Sequence, residues 1–154
     1  MAALFTLLPD AVGTVRADSK AAILSQLAER FAAVYGLDRQ VVFEGIEQRE
    51  QLGSTGFGRG VAIPHARIAG VAGPVAVLLR LEAPVEFDAA DGIAVDLVFG
   101  LLSPEHAGAA HLHALAAISR MMRDEHMRAS LQQAPGAEAL YGLLSNVIDR
   151  DAAA

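Results

Sequence analysis

The sequence predicts one mixed α/β domain over residues 1–150, with helices packed around a single small β-sheet. Three observations predict it. The chain has 154 residues, of which 53% are hydrophobic and 19% charged, enough apolar material for one buried core and too little charge for a disordered chain. The hydrophobic spacing changes along the chain, from two helical stretches through several strand-like runs to three more helical stretches. Neither an internal repeat nor a linker interrupts that order, and one layered domain accommodates it.

The elements follow in order. The apolar stretch Met1 to Pro9 lacks the basic start of a signal peptide and is expected as an arm packed on the domain. Ser19 or Asp18 caps a helix starting near Lys20, with Ile23, Leu24, Leu27, Phe31 and Val34 on one face and Gly36 as its stop. Asp38 caps a second helix, Arg39 to Gln51, with Val42, Phe43 and Ile46 facing inward. Val61 to Ile63 reads as a brief buried strand, and Pro74 to Glu82 as a longer one ended by Ala83-Pro84. Ile93 to Leu102 is apolar almost throughout, as a central strand should be, and Ser103-Pro104 stops it. Helices are expected over Ala109 to Arg123, from Asp124 to near Gln133, and over Ala137 to Ile148, followed by a frayed tail at 151–154.

Composition removes several classes of function. The net charge is −6, with one lysine and scattered arginines, which argues against a nucleic-acid-binding face. Without cysteine there is no disulfide framework, thiolate nucleophile or Cys-based metal site, a usage that fits a reducing cytoplasm. Arg80 and Asp96 interrupt the most apolar stretches, so no transmembrane helix and no membrane insertion are expected.

The stretch Gly53 to Arg67 is the most informative. Four glycines within eight residues offer positive φ, close backbone approach and N–H groups able to cradle an anion. A strand follows, then Pro64 and His65, which places His65 where strand gives way to loop. The pattern is neither a phosphate loop nor a dinucleotide fingerprint, because the glycines follow a helix and precede a strand. Nor is Ser54 set in a nucleophile elbow.

Helical geometry selects partners for His65. Arg49 lies about 20° from Val42 on the inward face of its helix. It is either a cation complementing the helix C-terminus or part of a site beside the glycines. On the helix starting at Ala109, Leu112, Leu115, Ile118 and Met122 define the apolar face. His111 lies about 30° from its centre and His113 on the opposite, solvent side. His111 is therefore a half-buried histidine bonded to backbone or a site residue. His106 and His126 sit in polar contexts and read as surface residues. His111 and His113 lack the i, i+4 spacing of a helical zinc pair, and no carboxylate joins them at ligand spacing, so a metal-dependent hydrolase is the weakest reading.

The run Arg49-Glu50-x-Leu52-Gly53-Ser54-Thr55-Gly56-x-Gly58-x-Gly60-Val61-Ala62-Ile63-Pro64-His65 closely resembles the active-site segment of the fructose/mannitol-type EIIA domains of the bacterial phosphotransferase system. The likeness continues through Pro84-Val85-x-Phe87-Asp88-x-x-Asp91, Val95 to Phe99, and His111-Leu112-His113-x-Leu115. It covers almost the whole chain, and the nitrogen-regulatory branch is the nearest likeness. The resemblance implies a cytoplasmic phosphocarrier. His65 would accept a phosphoryl group from a phosphohistidine on an HPr-like protein, with His111 supporting and Arg49 stabilising the phosphoryl group. Ser54, Thr55 and Gly56 match loop positions lining that site. Where family members often read Ile-Pro-His-Gly-Lys, this chain has Ala66 and Arg67, which keeps a cation for partner contact in a different geometry. No cofactor or metal is implied, because the phosphoryl donor is a protein histidine. Two roles are compatible with the site. One is a regulatory phosphoprotein that signals to a protein target, expected because no EIIB- or EIIC-like segment follows the domain. The other is a sugar-uptake carrier that passes phosphate to a separate EIIB.

Overall fold

Caps set the helix boundaries. Ser19 Oγ accepts the N–H of Ala22 at 3.1 Å and starts α1, Lys20–Tyr35, which Gly36 ends at φ 67°. Asp38 accepts from the N–H groups of Gln40 and Val41 and starts α2, Arg39–Gln51. Both helices lie where the sequence places them. The computed structural model describes residues 3–153, with side chains to 150. Five α-helices and one six-stranded sheet are found among the described residues.

The strands are β1 (Val12–Val15), β2 (Gly56–Gly58), β3 (Val61–Ala62), β4 (His65–Ile68), β5 (Val75–Val85) and β6 (Val95–Pro104). The remaining helices are α3 (Ala109–Arg123), α4 (Glu125–Gln133) and α5 (Ala137–Ala153). The sheet order is β1-β5-β6-β3-β2, and β4 also pairs with β6. β5 and β6 are antiparallel, while β1 runs parallel to β5 and both β3 and β4 run parallel to β6. β6 is the central strand, and Leu97, Val98, Phe99, Leu101 and Leu102 on it are fully buried.

β3 and β4 follow one another along the same edge of β6, with Val61 opposite Leu97 and His65 opposite Leu101. Ile63 and Pro64 fill the gap, and the Pro64 carbonyl accepts the N–H of Leu101 at 3.0 Å. His65 therefore opens a strand, which corrects the expected strand-to-loop exit. The alternation His-Ala-Arg-Ile is too short to announce that strand. Ala66 sits in regular pairing opposite Leu102, so the position needs no glycine freedom.

Helices cover both faces. On β6, a Cβ at Gly100 would stand 2.9 Å from Leu27 of α1, so the missing side chain lets α1 close on this face. Ser103, three residues on, points to the opposite face, where it meets α3. Arg80 of β5 ties the last turn of α4 to the sheet, donating to the carbonyls of Leu131 and Ala134 and to Thr14 Oγ1. A cation at a helix C-terminus is favoured by the helix dipole. The arm residues Phe5 and Leu7 are buried, and Thr6 bridges to Val75; Met1 and Ala2 lie outside the described residues.

Other boundaries differ from expectation. β5 runs through Ala83-Pro84 to Val85, because a register shift between Arg80 and Val85 relieves Pro84 of a ladder bond. β6 spans Val95–Pro104 rather than Ile93–Leu102, extended by the pairing of Arg67 with Ser103. α5 continues past Ile148, so residues 151–153 of the expected frayed tail are helical, and Ala154 lies outside the described residues.

Candidate active site

A cavity of about 660 Å³ lies between α2, β4 and α3. Arg49, His65, Arg67 and His111 all line it. Their elements converge for local reasons. Gly45 lets α2 approach β4, since a Cβ there would meet Ile68 at 2.7 Å. Arg49, one turn further on, lines the same cavity as β4, and its Nη1 donates to the Gly53 carbonyl just past the end of α2 at 2.9 Å. That bond fits the helix-end reading of Arg49, and its place on the cavity wall is compatible with the site reading.

His65 is half-buried, and its Nδ1 is 2.8 Å from the Ile63 carbonyl. A carbonyl can only accept, so Nδ1 carries the proton and Nε2 keeps its lone pair. Burial pushes the ring below its ordinary pKa of 6.5, and Arg49 and Arg67 push the same way. The Ile63 carbonyl and Glu50 partly oppose them. The ring is neutral at pH 7, the form that can act as a nucleophile.

His111 is 4% exposed, and its ring centroid is 5.7 Å from that of His65. Its Nδ1 is 2.7 Å from Ser103 Oγ, not from a backbone atom. Burial, then Arg67 and His65, push its pKa down to about 4. The buried stripe of α3 is His111, Ala114, Ala117, Ile118, Met121 and Met122. Leu112, assigned to the apolar face from sequence, is instead 59% exposed. Small alanines let α3 sit close to the sheet and rotate the buried face toward His111. His113, His106 and His126 are exposed, as expected.

The glycine-rich stretch departs from the phosphate cradle expected of it. Four of its N–H groups are bonded within the fold: Gly53 to Glu50 O, Thr55 to the Glu50 carboxylate, Gly56 to Ser54 Oγ, and Arg59 to Asp91 Oδ2. Ser54 Oγ donates to the Phe87 carbonyl at 2.7 Å, and Thr55 Oγ1 donates to Glu50. Ser54, Thr55 and Gly56 are absent from the cavity lining. Gly56 to Gly58 form a strand, and Arg59 and Gly60, both at positive φ, make the two-residue hairpin turn to β3. Asp91, between β5 and β6, accepts the Arg59 N–H at 2.8 Å and ties down the hairpin turn.

Three further polar residues are tied into the surroundings of the cavity. Glu50, 8% exposed, holds Thr55 and forms a 2.8 Å ion pair with Lys20. Ser103 is fully buried against His111. A carboxylate beside Arg49 on an amphipathic helix, and a serine ending an apolar strand, gave no periodic signal for these roles.

Known proteins share the sequence pattern and the fold. The family model for EIIA 2 of the phosphoenolpyruvate-dependent sugar phosphotransferase system matches residues 9–147. A nitrogen regulatory protein of Pseudomonas aeruginosa is 47% identical over 130 residues, covering 84% of each chain. The nitrogen regulatory protein IIA-Ntr of Neisseria meningitidis superposes with a TM-score of 0.83 at 37% identity, over 90% of this chain and 95% of that one. IIA mannitol from Escherichia coli shares the fold, with a TM-score of 0.75 at 19% identity over 91% of this chain and 99% of that one. The resemblance carried by Gly53 to His65 thus extends to the whole fold, and the chain belongs to the EIIA 2 family of the phosphoenolpyruvate-dependent sugar phosphotransferase system.

Proposed function

We propose that this chain is a phosphohistidine carrier of the nitrogen-regulatory type, which takes a phosphoryl group on His65 Nε2 from an HPr-like protein. The observation that carries the reading is the His65 Nδ1 bond to the Ile63 carbonyl. It leaves Nε2 free to act as the nucleophile, on a cavity shared with His111 and two arginines.

In the transfer, the Nε2 lone pair forms a bond to phosphorus. The donor's N–P bond breaks, and its electron pair returns to the donor ring. The donor enters as a phosphoimidazolium and leaves as a neutral imidazole. His65 passes from neutral imidazole to phosphoimidazolium and keeps its Nδ1 proton on Ile63. Phosphoryl transfer has a loose transition state, so alignment and charge stabilisation supply most of the catalysis. Arg49 and Arg67 are placed to offset charge on the equatorial oxygens, and His111 to hydrogen-bond one of them. The closed hydrogen bonding of Ser54, Thr55 and Gly56 gives those residues the task of shaping the loop.

A protein donor suits the rim. Leu52 is 85% exposed and Leu112 59% exposed, and both flank the cavity. Exposed leucines around a polar centre favour a macromolecular surface over a small phosphorylated metabolite. Phosphorylation adds about two negative charges at that surface, enough to change which protein docks next. The regulatory role is preferred to sugar uptake because the relative at 47% identity is a nitrogen regulatory protein. Among the described residues, no helix is long and apolar enough to cross a membrane, and a cytoplasmic location belongs to this proposal.

The test is incubation with enzyme I, an HPr-like protein and labelled phosphoenolpyruvate, followed by mapping of the acid-labile phosphate. Label on His65 supports the reading; label on another residue, or no label, overturns it.

A further inference from the structure

Lys20 is the chain's one lysine, and it lies 45 positions before the phosphoryl acceptor. A continuous chain of polar contacts nevertheless joins them. Lys20 Nζ is 2.8 Å from Glu50 Oε2. The Glu50 carboxylate accepts the Thr55 N–H, with both oxygens at 3.2 Å, and the Thr55 hydroxyl. The Thr55 carbonyl accepts the N–H of Ile63 at 2.9 Å. The Ile63 carbonyl accepts Nδ1–H of His65 at 2.8 Å.

We propose that Lys20 and Glu50 are positioning residues for phosphoryl transfer, holding the Ile63 carbonyl and through it the His65 ring in one orientation and one tautomer. The inference rests on the reading of His65 as acceptor. Ile63 lies in the gap between β3 and β4, so the bond from its N–H to Thr55 orients it where the pairing with β6 is interrupted. Thr55 is in turn fixed by a carboxylate whose side chain is 4% exposed. A carboxylate this buried loses hydration that a cation and hydrogen-bond donors offset, and Lys20 is the cation. Lys20 also stands 4.6 Å over the Phe87 ring and 3.8 Å from Asp88 Oδ2. The Phe87 carbonyl holds Ser54, so the lysine secures the loop from two sides. A ring free to rotate or change tautomer would present Nε2 with a proton, or in the wrong direction, for part of the time. In-line transfer is sensitive to displacements of about 1 Å.

The test uses the full chain labelled with ¹⁵N-histidine, as wild type and as the Lys20→Met, Lys20→Arg and Glu50→Gln variants. Long-range ¹H–¹⁵N spectra read the protonation of each His65 nitrogen, and initial rates against a phosphorylated HPr-like donor give kcat and KM. The expected result is one tautomer in the wild type, with Nδ1 protonated. Lys20→Met and Glu50→Gln should give mixed tautomers and lower kcat by about tenfold or more, with KM little changed. Lys20→Arg should restore most of both. Wild-type-like His65 nitrogens in Lys20→Met and Glu50→Gln overturn the proposal, even where transfer or thermal stability falls, because the residues then act only on stability. Should Lys20→Met fail to fold, Glu50→Gln, which keeps the shape, decides alone. Phosphate mapping away from His65 would refute the acceptor assignment, while the tautomer comparison would still decide whether this chain of contacts holds the ring.

Discussion

His65 at the start of β4 and His111 in the first turn of α3 belong to one cavity but are held in different ways. His65 is half-buried and bonded through Nδ1 to a carbonyl, an atom that only accepts. His111 is buried and bonded through Nδ1 to the Ser103 hydroxyl, an atom that donates or accepts. The strand ring is therefore committed to one tautomer, with Nε2 bare. The helix ring can change tautomer by rotation of a hydroxyl, and its Nε2 can carry a proton when an acceptor arrives. Two imidazoles with ring centroids 5.7 Å apart are thus differentiated by their partners, which suits the proposed nucleophile and an adjustable donor.

The strongest way to break this comparison is to remove each ring in turn. His65→Ala should abolish uptake of ³²P from the phosphorylated donor while circular dichroism and unfolding remain cooperative. His111→Ala should still be labelled, with an initial rate lower by about a hundredfold, the usual cost of removing one stabilising donor. If His111→Ala loses all label and His65→Ala keeps it, the roles are reversed.

Acid sharpens the difference. The pKa of His111 falls from its ordinary 6.5 in the unfolded chain to about 4 in the fold. Between those values the unfolded chain binds the proton more readily than the folded one, so stability is full above pH 6.5 and is lost as the pH falls toward 4. The loss amounts to at most about 3 kcal/mol for this one ring. His65 adds to it in the same direction. Urea unfolding at pH 7.5 and pH 4 should show the loss, and His111→Asn should reduce it. An undiminished loss in that variant would mean that burial of His111 does not set the acid limit.

The two rings were also unequally legible in the sequence. Helical spacing turned His111 inward and His113 outward, because α3 is long and its period regular. Arg49 was placed by the same rule. The caps Ser19, Asp38 and Asp124 each accept an N–H at a helix start, so three helix starts could be read from single residues. His65 was found through its motif, but its strand was not, since four residues of β4 carry too short an alternation. β1, with a glycine in four residues, was missed for the same reason. The glycine-rich stretch looks like an open cradle in the sequence because glycines show where backbone can bend, not which acceptors its N–H groups meet. One acceptor, Asp91, lies 32 positions from Arg59, and the other, Glu50, sits in the last turn of the preceding helix, where no glycine pattern marks it. Ser103 and Lys20 carry no sequence signal because their partners lie on other elements, eight residues away on α3 for Ser103 and 30 away on α2 for Lys20, and no local period encodes such contacts.

A milder change isolates the hydroxyl. Ser103→Ala leaves both rings in place but removes the partner that lets His111 change tautomer. The transfer rate should fall by about fivefold, the equivalent of roughly 1 kcal/mol for one hydrogen bond. Ser103→Thr should retain more activity than Ser103→Ala if its hydroxyl reaches the same nitrogen. A rate unchanged in Ser103→Ala would show that His111 acts without this bond.

The smallest expected effect is at His113, two residues from His111. Residues i and i+2 on a helix point about 200° apart. With His111 buried at 4% exposure, His113 must face solvent, and it does. It is absent from the cavity lining. His113→Ala should therefore leave kcat and KM within about twofold of wild type, as expected for a surface change away from buried or strained groups. Its value lies in what a larger effect would mean. A raised KM with unchanged kcat would place His113 under the docked donor, extending the partner surface from Leu112 around the helix. A lowered kcat would mean that α3 is rotated in the complex, and that the division between the two rings of the cavity holds only in the free protein.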